Sequence, residues 1–490
     1  MNFSEHLSGL LAQDRSAPAV QHDGGWFTWG EAADIVGGVD RALTDAGLGA
    51  HATVGLVMRE VPWTVAGFYA LLATRRAALM FSGRLPDAAL IGEMTDLRPA
   101  AVIAETRDWR REGLVEAARK AGVMGLEITR DPTDPVRLVA GLERPGPGPH
   151  HALPEGSAVT ILTSGTTGPA KRIPVTYQEL DERLARGRRS SGVAINALPL
   201  YNMGGIFGLV DAVVRSRPVA IMERFDVRRW AELIREHKPK QTGSPPSVLR
   251  MVLEAKIPPE HFASVEFHYS SSAPLDPKLA AEFEARYGVP CFQGWGSTEM
   301  KASVTGWSPD DRVAFKTSKA GSCGRPLSGV KLRIVDPETA APCAAGVDGR
   351  IEVWRADFPD EDHWMTTNDL GRIDEDGFLW VKGRLDDVII RGGLKVDPKD
   401  VEDALATHPD VVEAAVVGIP DERLVEAPAA AVVTRDKALD PQALTAWLRE
   451  RLPPYKVPVL ITRVEEIPRN AMMKIDRKTL RAMLQPASPQ

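Results

Sequence analysis

The sequence predicts an α/β fold, in which a large N-terminal domain of layered sheets and helices precedes a small α+β C-terminal domain. Two observations lead to this prediction. Helical and strand-like segments alternate along the N-terminal part, which is typical of α/β layering, and the C-terminal part has the pattern of a separate small unit. The 490 residues suffice for two to three domains at about 150 residues per domain.

The N-terminal alternation is clearest near the start of the chain. Residues 29–36 (WGEAADIV) have the spacing of an amphipathic helix, and residues 52–58 (ATVGLVM) form an apolar run typical of a buried strand. Residues 144–156 contain the densest run of proline and glycine in the chain, which neither a helix nor an interior strand tolerates. We therefore expect a surface loop or linker there.

A helix is predicted after Asp276-Pro277, because aspartate is a good N-cap and proline suits the first turn. Gly288 is positioned to end this helix, and a strand is expected to follow it. The apolar residues of the predicted helix recur four positions apart, at Leu279, Phe283 and Tyr287.

The C-terminal unit has its own order of elements. Helices are predicted to begin at Asp397 and Asp440, each followed by proline, and strands are predicted over residues 411–417 and 427–433. Before this unit, Asp376-Gly377 is a turn pair between two apolar runs and predicts a hairpin. We expect the domain boundaries to be 1–385 and 386–490.

Composition excludes several classes of function. The net charge is −6 and the pI is near 6.0, so no general attraction to nucleic acid or anionic lipid is expected. The three cysteines include no CxxC pair, which argues against a disulfide framework or a zinc site and favours a reducing cytoplasm. The most apolar stretch, residues 64–81, contains Arg75 and Arg76 near its centre, so we predict neither a signal peptide nor a membrane span.

The strongest local motif is an apolar strand that leads into a loop of small hydroxyl residues and glycines, ending in a lysine, over residues 158–171. Glycines allow backbone N–H groups to approach an anion, and hydroxyls and lysine add donors and charge. A Walker A loop is excluded, because Ala170-Lys171-Arg172 stands where Gly-Lys-Ser/Thr is required. From composition alone, a flexible surface loop is about as good an interpretation.

The order Ser-Gly-Thr-Thr-Gly-x-x-Lys resembles the phosphate loop of the adenylate-forming superfamily, which comprises acyl-CoA synthetases, peptide-synthetase adenylation domains and luciferases. Residues 293–299 (QGWGSTE) are similar to the aromatic-Gly-x-Thr-Glu motif of this superfamily. Residues 366–371 (TTNDLG) resemble its Thr-Gly-Asp-Leu-Gly motif, and residues 468–475 (PRNAMMKI) the motif of its catalytic lysine. Residues 270–275 and 321–329 match an adenine-contacting segment and a glycine motif. The order is that of the family.

The resemblance implies roles for individual residues. Trp295 would lie on adenine, Thr298 would contact phosphate and Glu299 would hold Mg²⁺. Asp369 would accept both ribose hydroxyls, and Lys474 would be catalytic together with Thr298 and Glu299. The residues implied to bind ATP are Thr163, Ser164, Gly165, Thr166, Thr167, Gly168, Lys171, Ser272, Ala273, Pro274, Gly294, Trp295, Gly296, Ser297, Thr298, Asp369, Arg384 and Lys474.

Each of these residues also has an ordinary structural interpretation when taken alone. Glu299, Arg384 and Lys474 could be solvated surface charges, Asp369 a turn residue, and Trp295 a core residue. Their joint order outweighs these interpretations. Competing motifs are absent, since the sequence contains no HExxH, no GxSxG and no complete GxGxxG. Hydrolase and dehydrogenase functions therefore lack support.

The substrate is expected to be an amine-free carboxylic acid. Residues 198–210, which correspond to the specificity segment of the family, contain no acidic residue to pair with an α-ammonium group. Ile206 and Phe207 add apolar surface, and Gly204 with Gly205 leaves room for an aryl or bulky alicyclic acid; ordinary packing at a helix start is the alternative. The implied substrate-binding residues are Tyr201, Asn202, Met203, Gly204, Ser271, Gly296 and Met300.

The resemblance further implies a second step, in which the C-terminal domain rotates about a hinge at Asp386 and a thiol attacks acyl-AMP. Gly392, Gly393 and Leu394 match the segment that contacts CoA. Two departures bear on this step: Asn202 replaces a common histidine, and Met472-Met473 replaces Ser-Gly.

The expected activity is therefore ATP-dependent formation of acyl-AMP and pyrophosphate, followed by transfer to CoA. The expected cofactors and substrates are ATP, Mg²⁺ and CoA. A carrier-protein thiol as acceptor, or an inactive nucleotide- or acyl-binding module, are the alternatives. Neither nucleic acid nor stable membrane insertion is expected.

Overall fold

The computed structural model describes residues 1–163, 171–357, 360, 363–391, 394–421, 423–436, 439–470 and 474–485. The helices are α1 (Phe3–Leu11), α2 (Trp29–Asp45), α3 (Pro62–Ala73), α4 (Asp87–Leu97), α5 (Thr106–Trp109), α6 (Leu114–Ala121), α7 (Tyr177–Arg186), α8 (Met203–Val214), α9 (Val227–His237), α10 (Pro246–Glu254), α11 (Pro277–Tyr287), α12 (Pro309–Ala314), α13 (Pro398–Ala406), α14 (Pro441–Arg449) and α15 (Arg477–Leu484).

The strands are β1 (Pro18–His22), β2 (Gly25–Thr28), β3 (Thr53–Met58), β4 (Ala77–Ser82), β5 (Ala101–Glu105), β6 (Met124–Ile128), β7 (Val136–Leu138), β8 (Ser157–Thr163), β9 (Lys171–Thr176), β10 (Ala194–Asn196), β11 (Val219–Ile221), β12 (Gln241–Ser244), β13 (Phe267–Ser270), β14 (Cys291–Gln293), β15 (Gly296–Ser297), β16 (Ala302–Ser303), β17 (Thr305–Gly306), β18 (Arg325–Pro326), β19 (Val330–Val335), β20 (Gly349–Arg355), β21 (Met365–Ile373), β22 (Leu379–Arg384), β23 (Ile389–Arg391), β24 (Leu394–Val396), β25 (Val411–Asp421), β26 (Val425–Thr434) and β27 (Leu460–Arg463).

The largest sheet has the strand order β7-β6-β5-β3-β4-β8-β9. Its inner pairings are parallel, whereas β7 and β9 add antiparallel edges. Helix α2 begins beside it with Thr28 as N-cap and Glu31 completing a capping box. The alternation predicted from the sequence is confirmed. The stretch from Thr64 forms α3 and β4, and among the described residues no helix is long and apolar enough to cross a membrane.

Two smaller sheets carry the residues of the predicted nucleotide site. Strands β12, β13 and β14 are parallel, and β19 to β22 form an antiparallel sheet. The predicted helix after Asp276 is confirmed as α11, since the Asp276 side chain accepts from Lys278 N and Gly288 ends the helix at φ +70°. Residues 144–156 contain neither helix nor strand, as expected.

The C-terminal unit has one sheet of order β24-β23-β26-β25, with β27 parallel to β26. Helices α13 and α14 begin where Asp397 and Asp440 predict, and each aspartate caps its helix. Strands β25 and β26 are longer than predicted because their pairing continues to Asp421 and Val425. Its separate hydrophobic core includes Val401, Leu405 and Val432.

Candidate active site

Two loop segments meet because they follow neighbouring parallel strands. Strand β13 ends at Ser270 and β14 at Gln293, so residues 271–275 and 294–299 leave the same edge of the sheet. The Gln293 side chain fixes their spacing, since its Oε1 accepts from Leu275 N at 2.8 Å. The fold thus brings together two segments that the sequence predicted to contact adenine and phosphate.

Strands β15 and β16 form a short hairpin whose tip carries Thr298 and Glu299. Gly296 is required here, because a Cβ at this position would lie 2.2 Å from Ala302 O. At the other side of the tip, Lys301 has φ +60°, a conformation that side-chain-bearing residues rarely adopt. Glu299 is exposed, with its carboxylate at the surface of the site.

The hairpin tip is held by contacts from distant parts of the chain. Lys301 Nζ pairs with Glu179 Oε1 at 2.6 Å, while the other oxygen of Glu179 accepts from Thr176 N at 2.7 Å. The Arg355 guanidinium donates to Met300 O. These contacts were not predicted, since Lys301 and Glu179 are 122 residues apart and no local motif joins them.

Asp369 lies on β21, directly across from Arg384 on β22. Its Oδ2 accepts from Trp295 Nε1 at 2.8 Å, and its Oδ1 is 3.8 Å from Arg384 Nη1. Burial raises the pKa of Asp369, and the Trp295 bond, Arg384 and Lys474 oppose that rise. Trp295 and Arg384 therefore orient the carboxylate of Asp369, and its remaining lone pairs can accept hydrogen bonds from further donors.

Arg384 is paired with the predicted hinge residue. Its Nε donates to Asp386 Oδ1 and its Nη2 donates to Asp386 Oδ2, each at 2.8 Å, which is a bidentate arrangement. These hydrogen bonds are the largest cause of the raised pKa of Arg384, and they also lower the pKa of Asp386. Asp386 lies in the short 3-10 turn Leu385–Asp387, between the antiparallel sheet and the C-terminal unit.

Lys474 reaches this site from the C-terminal unit. Burial lowers the pKa of Lys474, Arg384 lowers it further, and Asp369 and Glu299 oppose the decrease. Two predicted ATP-binding residues, Asp369 and Arg384, and the predicted magnesium ligand Glu299 therefore act on one ammonium group. Two hydrogen bonds from Asn470 fix the backbone of Lys474. The Asn470 side-chain Oδ1 accepts from Lys474 N at 3.1 Å, and the Asn470 backbone N–H donates to Lys474 O at 2.9 Å.

The predicted phosphate loop lies between two paired strand ends. Thr163 and Lys171 are register partners at the ends of β8 and β9. Ser164, Gly165, Thr166, Thr167 and Gly168 lie outside the described residues.

Trp295 is 8% exposed and packs with Val304, Cys323 and Leu379. Most of the indole is thus core material, while its N–H points to Asp369. In the facing segment, Ser272 has φ +74° and is exposed, and Ala273 and Pro274 follow it. A non-glycine residue in this region stores strain of order 1 kcal/mol, which is common at functional sites.

The predicted acyl-binding segment runs into α8. Asn202 is the N-cap residue of that helix, but its side chain makes no capping bond. Tyr201 is half-buried, and burial is the main cause of the raised pKa of its hydroxyl. Met203 is 8% exposed and Met300 is 2% exposed, so both belong largely to the protein core. Ser271 is half-buried at the end of β13.

Two details of the acyl-pocket prediction are corrected, those for Ile206 and Gly205. Ile206 is buried in the main core, and Phe207 lies beneath the guanidinium of Arg183 at 4.1 Å. A Cβ on Gly205 would lie 2.0 Å from Pro199 O, and one on Gly204 would lie 2.6 Å from Leu198 Cδ1. Gly205 therefore accommodates the backbone of the chain itself rather than leaving space for an acid, whereas Gly204 is exposed and has only the end of the Leu198 side chain near it.

A buried carboxylate reaches the acyl segment from elsewhere in the sequence. Glu60, at the end of β3, accepts from Leu200 N at 3.2 Å. It is already neutralised, since Arg84 Nη2 lies 2.8 Å from its Oε2. The absence of an acidic residue over 198–210 remains a fact of the sequence, but the fold supplies a paired one.

The predicted CoA segment is described only in part. Leu394, the first residue of β24, is 50% exposed. Gly392, Gly393 and Met472-Met473 lie outside the described residues.

Comparison with known proteins identifies the chain. The AMP-binding enzyme family matches residues 10–356, and the C-terminal domain of AMP-binding enzymes matches residues 400–474. The chain belongs to the AMP-binding enzyme family. A 2-succinylbenzoate--CoA ligase of Bacillus pumilus is 28% identical over 484 residues, 94% of either chain. Another from Geobacillus kaustophilus is 32% identical over 351 residues, 67% of this chain and 70% of the relative.

Solved structures of the family share the fold of the whole chain. ATP-bound MatB from Rhodopseudomonas palustris has a TM-score of 0.82 at 24% identity, and its apo form 0.69 at 24% identity, each covering 99% of both chains. The o-succinylbenzoate CoA synthetase MenE of Bacillus subtilis, in complex with its acyl-adenylate, has a TM-score of 0.76 at 23% identity, over 98% of this chain and 97% of its own. The predicted family and fold class are confirmed.

Proposed function

We propose that this enzyme activates an amine-free carboxylic acid with ATP to acyl-AMP and pyrophosphate, and then transfers the acyl group to the thiol of CoA. The observation that carries the proposal is the arrangement around Asp369, whose carboxylate accepts from Trp295 Nε1 at 2.8 Å and lies 3.8 Å from Arg384 Nη1. The charge of Asp369 also acts on the Lys474 ammonium group, because it opposes the lowering of the Lys474 pKa. Such a group can stabilise charge that develops between two anions.

The first step joins two anions, because a carboxylate attacks the α-phosphorus of ATP. Positive charge must be placed in advance where negative charge accumulates, and in-line geometry must be imposed on the reactants. We assign this role to Lys474, which bridges the attacking carboxylate and the α-phosphate. The carboxylate oxygen forms the new P–O bond as the bond to pyrophosphate breaks, and no protein nucleophile takes part.

The nucleotide is proposed to bind through the large unit. Asp369 accepts the ribose hydroxyls, in an orientation that Trp295 Nε1 sets at 2.8 Å. The loop from Thr163 to Lys171 surrounds the departing pyrophosphate, and Ser272 to Pro274 and Gly294 to Thr298 contact adenine and the phosphates. Arg384 neutralises the site from the opposite side.

Glu299 is the proposed magnesium ligand. Among the described residues, no group of three or more His, Cys, Asp or Glu side chains could hold a metal ion by itself. This suits Mg²⁺, which proteins commonly bind through one or two carboxylates together with substrate phosphates. The ion, when bound, would neutralise phosphate charge beside the hairpin tip.

The second step is proposed to use a rotation of the C-terminal domain about Asp386, with domain boundaries at 1–385 and 386–490. The rotation removes Lys474 and brings Gly392, Gly393 and Leu394 to the thiol. CoA is the proposed acceptor because the relatives are named as CoA ligases. A carrier-protein thiol is the second candidate, because Asn202 and Met472-Met473 depart from the pattern of the family.

The acid is proposed to be aryl or alicyclic. Relatives covering nearly the whole chain are named for 2-succinylbenzoate, an amine-free aromatic acid. Tyr201 is half-buried in the predicted acyl segment, and Glu60, the carboxylate that contacts this segment, is occupied by Arg84. We also propose a cytoplasmic location, because the three cysteines are free thiols.

A screen tests this proposal. ATP–pyrophosphate exchange is measured over aliphatic, aryl and polycyclic acids, with and without magnesium, and CoA consumption is then measured for the best acid. We expect magnesium-dependent exchange with an aryl or alicyclic acid, followed by thioester formation. Exchange without CoA consumption would favour a carrier protein as acceptor, and no exchange with any acid would favour a binding module.

A further inference from the structure

Two cations of the large unit donate hydrogen bonds to backbone carbonyls of the C-terminal unit. Arg250 Nη1 on α10 lies 2.8 Å from Val412 O, and Lys278 Nζ on α11 lies 2.7 Å from Ala406 O. We propose that Arg250 and Lys278 form a latch that holds the C-terminal unit in the orientation that presents Lys474 for adenylation. The inference rests on the proposed function.

Both donors are fixed on one rigid body. Helices α10 and α11 pack in the same hydrophobic cluster, through Val248, Leu249 and Phe283 among others. Lys278 is also in the first turn of α11, where Asp276 caps its backbone N–H at 2.9 Å. The two side chains therefore start from a fixed spacing.

The two acceptors lie at either end of the connection between α13 and β25 in the C-terminal unit. Ala406 is the last residue of α13, and the final carbonyls of a helix lack partners within it and carry partial negative charge. Val412 follows at the start of β25. A cation near the end of α13 therefore satisfies an acceptor that the helix leaves open.

The latched connection is linked to the catalytic lysine through consecutive contacts. Glu413, next to Val412, pairs with the Arg469 guanidinium. The next residue, Asn470, holds the backbone of Lys474 at 3.1 Å and 2.9 Å. The position of Val412 is thus transmitted to Lys474 through one ion pair and through one side-chain and one backbone hydrogen bond of Asn470, so Arg250 and Lys278 are positioning residues.

The other end of α13 rests on the large unit as well. Asp397, the N-cap of α13, lies close to Gly383. A Cβ added to Gly383 would lie 3.1 Å from Asp397 Oδ1. The helix is therefore located at its first residue by close contact and at its last by Lys278. Loss of the latch frees the end of α13 that is nearer to Glu413 in the chain.

The test compares the two half-reactions in an Arg250→Met and Lys278→Met double variant of the full chain. Pyrophosphate exchange measures adenylation, and single-turnover transfer from isolated acyl-AMP to CoA measures the second step. We expect adenylation to fall about tenfold, mainly in kcat, because hydrogen bonds from charged donors are lost. Acyl transfer and the thermal midpoint should stay near wild type.

Matched controls separate docking from general damage. Arg228 Nη2 donates to Ala255 O at 3.3 Å, and Lys240 pairs with Glu266 at 2.9 Å, so Arg228→Met and Lys240→Met remove similar contacts within the large unit. Both controls should leave adenylation unchanged. The charge-conserving double variant Arg250→Lys and Lys278→Arg should retain most of the wild-type adenylation rate.

Two results would overturn the latch: equal losses in both half-reactions, or wild-type adenylation in the double variant. If wild-type protein shows no exchange at all, the proposed function fails instead. If it exchanges but transfers to no CoA, the thermal midpoint replaces the transfer arm, and a parallel loss of stability and adenylation contradicts the latch.

Discussion

The groups proposed to bind ATP and the group proposed to catalyse its reaction are held in different ways. Asp369 and Trp295 belong to one body, where an indole N–H fixes the carboxylate at 2.8 Å. Lys474 belongs to the C-terminal unit, and its charge acts on the same carboxylate across the contacts that join that unit to the large one. If the proposed roles hold, the difference means that nucleotide binding depends on the large unit alone, whereas catalysis also depends on the orientation of the C-terminal unit.

The largest expected effect on adenylation comes from removing the side chain of Lys474. Lys474→Ala should lower adenylation by roughly 10²-fold or more, since about 3 kcal/mol is typical for one preorganised charge contact at a transition state. The KM for ATP should change little, because the large unit retains its contacts. Pyrophosphate exchange over a range of ATP concentrations measures both parameters.

Lys478 provides the control, because it is exposed one turn further along the chain on α15. Lys478→Ala should behave as wild type, and preformed acyl-AMP should still react with thiol in Lys474→Ala. A wild-type adenylation rate in Lys474→Ala would show that Lys474 of the C-terminal unit takes no part in the reaction.

The second prediction concerns selectivity within the large unit. Amine-free aryl or alicyclic acids should exceed α-amino acids of similar size by about two orders of magnitude, because a buried ammonium would lack a partner. Glu60, the carboxylate that contacts this segment, is neutralised by Arg84. Ranking acids by kcat/KM in the exchange assay checks this, and an amino acid in first place would contradict it.

The third prediction isolates the indole N–H. Trp295→Phe keeps an aromatic ring but removes the donor to Asp369, so the KM for ATP should rise about tenfold, as expected for a hydrogen bond to a charged group. The kcat should stay within a few fold. Trp307→Phe is the matched control, since Trp307 is also 8% exposed and its Nε1 has no hydrogen-bond partner among the residues that the structure describes. Equal effects in both variants would indicate packing alone.

Local rules made the fold readable from the sequence. The cap, proline and terminal glycine of α11 lie within a dozen residues, and each acts on its neighbours in the chain. The nucleotide motifs were recognised through their resemblance to a known family, and the parallel-strand rule explains only why residues 271–275 and 294–299 meet at one edge. Asp369 lies on an antiparallel sheet and Lys474 in the C-terminal unit, so the rule does not account for their positions.

Long-range pairing could not be predicted. The contacts of Glu60 with Leu200 and of Lys301 with Glu179 depend on how distant segments pack, and neither has a local signature. Gly205 was misinterpreted for the same reason. A missing side chain can leave room for a ligand or for backbone, and only the fold shows that Pro199 occupies the space.

The smallest expected effect is an opposite response of the two regions to pH. His268, buried on β13 of the large unit, has its pKa lowered by burial to about 4. Below its ordinary pKa near 6.5 the unfolded chain takes up a proton that the folded chain does not. The contribution of His268 to the free energy of unfolding should therefore fall by about 1 kcal/mol between pH 6 and pH 5.

Asp397, at the docked end of α13, has its pKa raised to about 6, mainly by burial. A raised carboxyl pKa means that the folded, docked form holds a proton more tightly, so its contribution is present at low pH and is lost as the pH rises through about 6. Urea unfolding from pH 5 to pH 7 measures the net slope. Because the two contributions oppose each other, His268→Asn should make the protein gain stability on acidification, and Asp397→Asn should make it lose stability. Identical slopes in the two variants would show that the regions do not differ in their proton linkage.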